Sequence, residues 1–441
     1  MSRIISRFHP ALLSIFAIAL CSPAHAADKP TPARTAGGII DAAKFKTLQE
    51  AFDAVPESGG VVRLPAGTFR IEKTLVISTE NTRVEGTGTA THLVNCCKNG
   101  QPVLHIRAKK SGKNIWRVQL ANFRVSGDAV SPDKKSANAM AFVGEPPAAN
   151  AKKPLTGDGI LAERVNEIYI EGITADHCGR FGVNLDKCYE DPRVCDSIFT
   201  YNAQAGLNIL GGHDIVVNAN HFEENLDAVR CIDSYNLCMN GNNLDDHIRH
   251  GVVIENTYGS VLSGNMIEEC EGVGVILDRD CYGITISANV IADNFGGGID
   301  LRDAWGCAVS ANTFTIDAVR ALVIGPNSGR ITVTGNNFSD SFIGKKRRRV
   351  GKQNLATGIT LQGTSDICIT GNVFSGLSGQ AVTADKNCTR LLLVANIATD
   401  LNVATEQKRP AFDLGGAKEV ISENNMLGPA AVIPAEPAKK K

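Results

Sequence analysis

The feature that most constrains this chain is a short motif that recurs along most of its length. Each copy is a β-rich run that ends on an asparagine, as in SVLSGN, ITISAN and ITVTGN. The asparagines are Asn202, Asn220, Asn242, Asn265, Asn289, Asn312, Asn336, Asn372, Asn396 and Asn424, with an earlier member at Asn122. Most successive copies are about 23 residues apart, and a near-constant period of this length is typical of solenoid proteins.

Each repeat has the same internal order. A strand with alternating apolar residues, such as Ile331 and Val333, precedes the asparagine, and an apolar residue two positions after it, such as Phe338, marks a second strand. A polar or glycine-rich loop then leads into a third strand such as GVGVILD. Three short strands and no helix per repeat predict an all-β, right-handed parallel β-helix of about ten rungs. A β-propeller, the main alternative, would need units of about 40 residues with four antiparallel strands.

The recurring asparagine has two physical explanations. Asparagine tolerates the left-handed backbone conformation that a one-residue turn requires, so we expect it to adopt that conformation. Stacked asparagines can also join their side-chain amides into a hydrogen-bonded ladder along the axis.

Residues 1–26 read as an export signal. Arg3 and Arg7 give a positive start, the apolar run 11–20 follows, and Ala24–Ala26 is a small-x-small cleavage site. A membrane anchor is the alternative, but the apolar run is too short to span a bilayer. The sequence therefore predicts a periplasmic or extracellular protein.

The rest of the chain reads as one solenoid domain. The helical spacing of Phe45–Val55 predicts a helix that caps the N-terminal end of the core. The predicted segments are a linker at 27–40, the β-helix at 41–427 with loop excursions at 128–157 and 340–356, and a disordered tail at 428–441.

Charge and cysteine content narrow the choice further. The formal net charge falls from −1 to −3 when Arg3 and Arg7 leave with the signal, so nothing global points to nucleic acid or an anionic membrane. Export leaves 12 of the 13 cysteines, and Cys188 and Cys195, which close the short loop KCYEDPRVC, are the best disulfide candidates. The alternative is that cysteine fills the solenoid interior as a small apolar residue.

The opening segment DAAKFKTLQEAFDAVPESGGVVRLPAGTFRI resembles that of pectate-lyase-like proteins, in which a capping helix leads into GG-x-V-x-L-P-x-G-T-Y/F. The Asn-ended repeats are similar to those of the right-handed parallel β-helix superfamily. That group includes polysaccharide lyases, galacturonases, mannuronan epimerases and copper-chaperone-like periplasmic proteins. The resemblance implies the fold but no subfamily. Gly212-His213-Asp214 stands in place of the galacturonase Gly-His-Gly, and the epimerase motif Asp-Pro-His-Asp is absent.

The repeat also predicts which residues of the third strand in each rung point inward and which point outward. We expect its inward residues to be Ile209, Cys231, Ile254, Leu277, Leu301, Ile324 and Leu361. Because side chains alternate across a strand, their neighbours point outward, and equivalent residues of adjacent rungs lie about 4.8 Å apart. The middle rungs thereby gather charged side chains on one face, interrupted by outward Val253 and Ile276.

This face is our candidate active site. The candidate catalytic residues are Glu255, Asp278, Asp300, Arg302 and Asp303. The candidate substrate-binding residues are Arg230, Arg279, Tyr258, Tyr282, Trp305 and His213. A carboxylate pair about 5 Å apart suits a retaining glycosidase, and arginine binds the carboxylate of a uronate sugar. Asp278, Asp280 and Asp300 are candidate ligands for Ca²⁺, which prefers several oxygen ligands.

These features predict an exported protein that acts on an acidic polysaccharide, as a lyase that works by β-elimination or as a glycoside hydrolase. The alternative is a glycan-binding or scaffold protein of the cell envelope without catalytic activity. A metal-delivery protein is disfavoured, because methionine is rare and no Cys/His ligand set is evident.

Overall fold

The computed structural model describes residues 38–129, 156–317, 319–340, 356–403 and 409–428. The predicted signal peptide lies outside these residues, as do nearly all of the predicted linker, both loop excursions and the tail. The described residues form one compact unit. Ile39 and Ile40, which we assigned to the linker, belong instead to the first strand, Ile39–Asp41.

Parallel strands form almost all of the regular structure, in one sheet of 29 strands, one of 13 and one of two. The 13-stranded sheet contains Leu75–Ile77, Leu104–Ile106, Ile160–Glu163, Val183–Asp186, Ala205–Leu210, Asp227–Ile232, His250–Glu255, Val273–Asp278, Gly297–Leu301, Leu322–Ile324, Ile359–Leu361, Val382–Ala384 and Phe412–Asp413. Each of these strands pairs with its equivalent one rung away, so the described chain makes about 13 turns. The protein is a right-handed parallel β-helix, as predicted, with somewhat more rungs than expected.

The larger sheet carries the two other strands of each rung. Its members are Ile39–Asp41, Gly60–Arg63, Gly67–Ile71, Thr82–Glu85, Thr91–Asn95, Gln119–Ser126, Tyr169–Asp176, Arg193–Cys195, Ile198–Thr200, Val216–Asn218, His221–Glu223, Cys238–Asn240, Asn243–Asp245, Val261–Ser263, Met266–Glu268, Cys281–Tyr282, Thr285–Ser287, Val290–Ala292, Ala304–Trp305, Ala308–Ser310, Thr313–Thr315, Gly329–Thr334, Asn337–Ser339, Ser365–Thr370, Val373–Ser375, Thr389–Val394, Ile397–Thr399, Lys418–Glu423 and Met426–Leu427. The two-stranded sheet pairs Ile115–Trp116 with Val165–Asn166.

A short helix covers the N-terminal end of the core. A 3-10 helix, Ala42–Lys44, precedes the α-helix Leu48–Asp53, and the Thr47 side chain caps the latter by accepting from the backbone N–H of Glu50. Gln49 bonds both backbone groups of Val76 in the edge strand Leu75–Ile77. The helix is shorter than the predicted 45–55 segment, but it occupies the first open edge of the solenoid, which would otherwise expose unpaired backbone groups.

A continuous ladder of side-chain amides runs through the interior. In each pair, the backbone N–H and the Nδ2 of one asparagine both donate to the Oδ1 of the asparagine one rung on, at 2.9–3.1 Å from Asn242 to Asn265. The members are Asn220, Asn242, Asn265, Asn289, Asn312, Asn336, Asn372, Asn396 and Asn425. We call this the asparagine ladder.

Three asparagines of the sequence repeat have other places. Asn122 and Asn424 are left-handed residues with φ of 57° and 55°, and Asn425 takes the ladder position instead of Asn424. Asn202 belongs to a second ladder, which explains why it precedes Asn220 by less than a full repeat. Our expectation that the ladder asparagine itself is left-handed is wrong. The residue before it is left-handed, as at Ala288, where φ is 55°.

The second ladder follows the same rule but has a mixed composition. Its members are Cys178, Asn202, Asn225, His247, Cys270, Asn294 and Asp317. A left-handed residue again precedes each member, such as Asp246 before His247, with φ of 58°. We call this the mixed ladder. Apolar columns fill the space between the ladders, including stacked rings of Phe314, Phe338 and Phe374.

Candidate functional site

The outer face of the 13-stranded sheet has the register that the repeat predicted. All seven inward residues, from Ile209 to Leu361, are at most 1% exposed. On the outside, Ile232 pairs with Glu255 and Glu255 with Asp278, while Ile276 pairs with Asp300. Strand pairing therefore stacks side chains that are one repeat apart in the sequence into columns that run parallel to the solenoid axis.

An aromatic column borders this charged face. His213, Tyr235, Tyr258 and Tyr282 are joined by successive backbone bridges, and Tyr282 pairs with Trp305. The ring centroids of Tyr235 and Tyr258 are 5.5 Å apart at an interplanar angle of 29°. Tyr235 and Tyr282 are 46% and 54% exposed, whereas His213, Tyr258 and Trp305 are partly buried.

Local sequence explains how the column forms. The aromatic residue follows the outward strand residue by three positions, as Tyr258 follows Glu255. In the rung of Asp278 the interval is four positions, and both Arg279 and Asp280 are left-handed, with φ of 54° and 62°. The extra left-handed residue absorbs the insertion and keeps the ring in line.

The sequence alone placed His213, Tyr258, Tyr282 and Trp305 beside the face but missed Tyr235. It lies one repeat interval after His213 and one before Tyr258, and this spacing is the signal that identifies it. Tyr189 holds the corresponding position one rung before His213, three positions after Asp186, and is 41% exposed. Four of the six tyrosines of the chain thus fall in one column, which is a strong concentration in a sequence with only 5% aromatic residues.

Ion pairs connect the charged residues of adjacent rungs. The Nη2 of Arg230 lies 3.3 Å from one carboxylate oxygen of Glu255, and the Nε of Arg279 lies 2.7 Å from the other. Arg279 also lies 3.5 Å from Asp233. Glu255 is thus held between two guanidinium groups, one from the preceding rung and one from the next.

Arg302 makes the equivalent connections on the next two rungs. Its Nε donates to Asp300 at 2.9 Å, and its Nη1 lies 3.7 Å from Asp278. Asp278 also accepts from the backbone N–H of Arg279. The structure therefore brings together Glu255, Asp278, Asp300 and Arg302, all of them predicted site residues. Asp303 is half-buried in the turn that follows.

Two members of this network were not predicted, Asp227 and Arg249. Asp227 is fully buried at the start of its strand, where it accepts hydrogen bonds from Arg249 and Arg230 and from the backbone N–H of His250. Burial alone would raise the pKa of Asp227, but the hydrogen bonds and charges of the two arginines outweigh it and lower the pKa below its usual value. Asp227 therefore stays ionised and fixes Arg230 toward Glu255.

The apolar residues that interrupt the face form a small cluster of their own. Val253, Val273 and Ile276 are 2–8% exposed although Val253 and Ile276 lie in an outward column of the sheet. The half-exposed guanidinium groups of the face therefore lie beside a small apolar patch.

The Ca²⁺ ligand set that we predicted is not assembled. Asp278 and Asp300 both contact Arg302, and the Asp280 carboxylate accepts from the Tyr258 hydroxyl at 3.2 Å. Among the described residues, the one group of three ligating side chains whose atoms all lie within 4.8 Å of one another is Glu190, His213 and Asp214. One imidazole and two carboxylates suit a divalent transition metal better than Ca²⁺. This triad stands at one end of the aromatic column.

The predicted disulfide between Cys188 and Cys195 is not formed. Both thiols are free and buried, with Cys188 donating to the carbonyl of Ala162 and Cys195 pointing to the side chain of Asn218. Burial raises the pKa of Cys188 to about 12. All 12 cysteines of the described residues are free and nine of them are buried, so for those nine the structure supports the alternative of cysteine as a small interior residue.

Comparison with known families finds one match. The family described as "Periplasmic copper-binding protein (NosD)" matches residues 194–348, about a third of the chain. That range contains His213 and Asp214 and most of the charged face. No curated protein matches the sequence.

Solved structures share the fold. A variant of DFA-IIIase from Arthrobacter chlorophenolicus A6 superposes with a TM-score of 0.56 at 11% identity, over 86% of this chain and 99% of that one. The lidless form of DFA-IIIase in complex with GF2 gives 0.54 at 13% identity, over 88% and 99% of the two chains. The A-module of mannuronan C-5 epimerase AlgE6 from Azotobacter vinelandii gives 0.46 at 13% identity, over 87% and 95%. No helix among the described residues is long and apolar enough to cross a bilayer.

Proposed function

We propose that this right-handed parallel β-helix protein binds a polysaccharide along the aromatic column and cleaves it at the adjacent charged face, as a lyase or a glycoside hydrolase. The observation that carries the proposal is the continuous column from His213 to Trp305, with rings one rung apart of which Tyr235 and Tyr282 are exposed. Aromatic rings pack against the apolar faces of sugars while their polar edges stay hydrated. DFA-IIIase, which shares the fold, has been crystallised with GF2.

The charged columns supply groups for chemistry at the centre of this surface. Glu255 and Asp278 are on paired strands, so their backbones are about 4.8 Å apart, close to the carboxylate separation of retaining glycosidases. In our proposal Glu255 and Asp278 are the acid and the nucleophile. Arg302 holds both Asp278 and Asp300 in place, and Asp303 borders the site. Arg230 and Arg279 position Glu255 and contact the sugar next to Tyr258.

A purely binding role is the alternative, and one observation favours it. Glu255 accepts from two guanidinium groups and Asp278 lies beside a third, so neither carboxylate is free to take or give a proton without breaking an ion pair. In that case the same surface would hold a glycan without turnover. We place either activity in the periplasm or outside the cell, where the family matched by residues 194–348 is described as periplasmic.

The test is incubation of the purified protein with a panel of neutral and acidic polysaccharides, followed by assays for new reducing ends and for unsaturated products. We expect product from at least one substrate and a loss of more than a hundredfold in Glu255→Gln and Asp278→Asn, since one change removes the proton donor and the other removes the nucleophile. Tyr258→Ala should weaken binding, whereas Tyr169→Ala, outside the column, should not. Binding that survives in all variants without product would establish the alternative role.

A second candidate function is metal binding at Glu190, His213 and Asp214. Two observations favour it: the ligand atoms of the triad converge within 4.8 Å, and the matching family is described as copper-binding. Asn236 donates to the Asp214 carboxylate at 2.9 Å and so orients a ligand from outside the triad. Calorimetric titration with Cu²⁺ and Zn²⁺ tests it. One site per chain that is lost in His213→Ala and kept in Tyr235→Ala is the expected result, and equal binding by both variants would contradict it.

A further inference from the structure

We infer that the glycan bound along the aromatic column is uncharged and rich in hydroxyl groups, rather than the acidic polymer that the sequence suggested. This inference rests on the proposed function. It starts from the charge of the segment that builds the site. Between residues 227 and 305 there are 13 aspartates and glutamates, four arginines and no lysine. The face itself carries seven of these carboxylates and the four arginines, an excess of three negative charges in a protein that is nearly neutral as a whole.

The four arginines are already paired with carboxylates, although three of them keep about half of their side chains exposed. The Arg230, Arg249, Arg279 and Arg302 side chains each contact at least one carboxylate of the same face, at distances of 2.7–3.7 Å for the pairs of Arg279 and Arg302. Asp227 alone holds two of them and is itself buried. A uronate carboxylate would share a guanidinium with carboxylates that are already paired to it, and if it displaced Asp227 or Glu255 it would leave that carboxylate without its cation.

The carboxylates, in contrast, exceed the cations on this face. Seven of them line it, namely Asp227, Asp233, Glu255, Asp278, Asp280, Asp300 and Asp303. Asp280 and Asp303 have no basic partner within salt-bridge distance among the described residues, and Asp280 accepts from the Tyr258 hydroxyl. An ionised carboxylate only accepts hydrogen bonds, and sugar hydroxyl groups are the matching donors.

Long-range electrostatics points the same way. A surface with surplus negative charge repels a polyanion during approach, and the bound polyanion offers no positive group to pair with the surplus carboxylates. Aromatic contacts, in contrast, do not depend on ligand charge. The column and the carboxylates together therefore select a neutral chain that presents ring faces to the tyrosines and hydroxyl groups to the acids.

The experiment is a binding panel for the full chain with three neutral polymers, inulin, dextran and galactomannan, and two polyanions, polygalacturonate and alginate. Affinity is measured by calorimetry at about 20 mM and about 300 mM NaCl, because screening separates charge effects from contact effects. We expect a neutral polymer to bind with the same affinity at both salt concentrations and to lose about tenfold in Tyr258→Ala. We expect no polyanion binding at low salt, and the appearance of salt-sensitive polyanion binding in Asp280→Lys.

The outcomes separate this inference from the proposed function. Polyanion binding by the natural chain without neutral binding would overturn the inference and leave the proposed function standing. Absence of binding to every polymer would remove both. The basic run Lys345–Arg349 lies outside the described residues, so a chain with these five positions changed to serine is the matched control. Polyanion binding that this control abolishes belongs to that run and leaves the inference standing, whereas polyanion binding that persists in the control and is lost in Tyr258→Ala would overturn it.

Discussion

The two internal ladders have the same backbone geometry and different chemistry, and the difference separates what the fold needs from what it tolerates. Each rung of the asparagine ladder uses one amide four times. Its Oδ1 accepts twice, and its Nδ2 donates once to a backbone carbonyl and once to the Oδ1 of the next asparagine, as at Asn289. The mixed ladder keeps this pattern only where asparagine or aspartate is present, as from Asn294 to Asp317. At Cys178 and Cys270 a backbone N–H still donates onward, but no side-chain amide does.

The mixed ladder leaves buried polar atoms without partners. The Nε2 of His247 and the Oδ2 of Asp317 are both buried and have no hydrogen-bond partner among the described residues. Burial lowers the pKa of His247 to about 4 and raises the pKa of Asp317 well above its usual value. The left-handed residue before each ladder position therefore sets the backbone geometry of the turn. The ladder side chain determines how much the turn contributes to the free energy of unfolding, and at which pH.

Removing one rung of the asparagine ladder should have the largest effect. Asn289→Ala deprives the backbone N–H and Nδ2 of Asn265 of their acceptor and the carbonyl of Leu262 of its donor. Each buried group left unsatisfied costs about 1–3 kcal/mol, so we expect a loss of about 4 kcal/mol in the free energy of unfolding, measured by urea denaturation. Asn337→Ala, on an exposed strand position, is the control and should change it by less than about 0.5 kcal/mol. Equal losses in Asn289→Ala and Asn337→Ala would show that the ladder hydrogen bonds add nothing to the free energy of unfolding beyond what an exposed asparagine adds.

The mixed ladder should make the protein sensitive to acid. Since the pKa of His247 is about 4 in the folded chain and 6.5 in the reference state, the unfolded chain binds the proton first as the pH falls. Stability is therefore complete above pH 6.5 and is lost by about 3 kcal/mol between pH 6.5 and 4. Urea denaturation across this range measures the slope.

His247→Asn should flatten this part of the pH dependence, because asparagine does not titrate and can continue the ladder between Asn225 and Cys270. His213→Asn, at a histidine outside both ladders, is the matched control and should leave the slope as it is. A slope that persists in His247→Asn would assign the acid sensitivity to another group.

Asp317 should give the free energy of unfolding a pH dependence opposite to that of His247. Its pKa is raised by burial, so stability is present at low pH and is lost as the pH rises above 3.8. Asp317→Asn removes the cost of burying or neutralising the carboxylate and adds an amide that can donate to the carbonyl one rung below. We expect a gain of at least about 1 kcal/mol at pH 7 that shrinks toward pH 3. A loss at pH 7 would mean that the carboxylate has a partner that asparagine cannot replace.

The ladders also show how far the sequence could be read. The inward residues were correct because period-2 alternation and a fixed rung length determine them, and the pairing of Glu255 with Asp278 follows from the same count. The count does not tell which of two adjacent residues is left-handed, so Asn122 and Asn424 were assigned to the ladder although they are the turn residues. Asp227 and Arg249 could not be found this way, because their contact depends on the reach of a long side chain from a turn and not on strand register.

Substitutions in the outer charged columns should change the free energy of unfolding least and glycan turnover most. Arg302 is 43% exposed and its pairs with Asp300 and Asp278 are partly solvated, so Arg302→Gln should cost less than about 1 kcal/mol in urea denaturation. Under our proposal the same change frees Asp278 and Asp300 and should reduce glycan turnover at least tenfold, through kcat more than through KM. Arg390→Gln breaks a pair of similar geometry with Asp366, far along the solenoid from the site, and should leave turnover unchanged. If Arg302→Gln and Arg390→Gln give the same result in both measurements, the outer charges are only a solvated surface. Stacking of equivalent side chains would then have a consequence only in the two interior ladders.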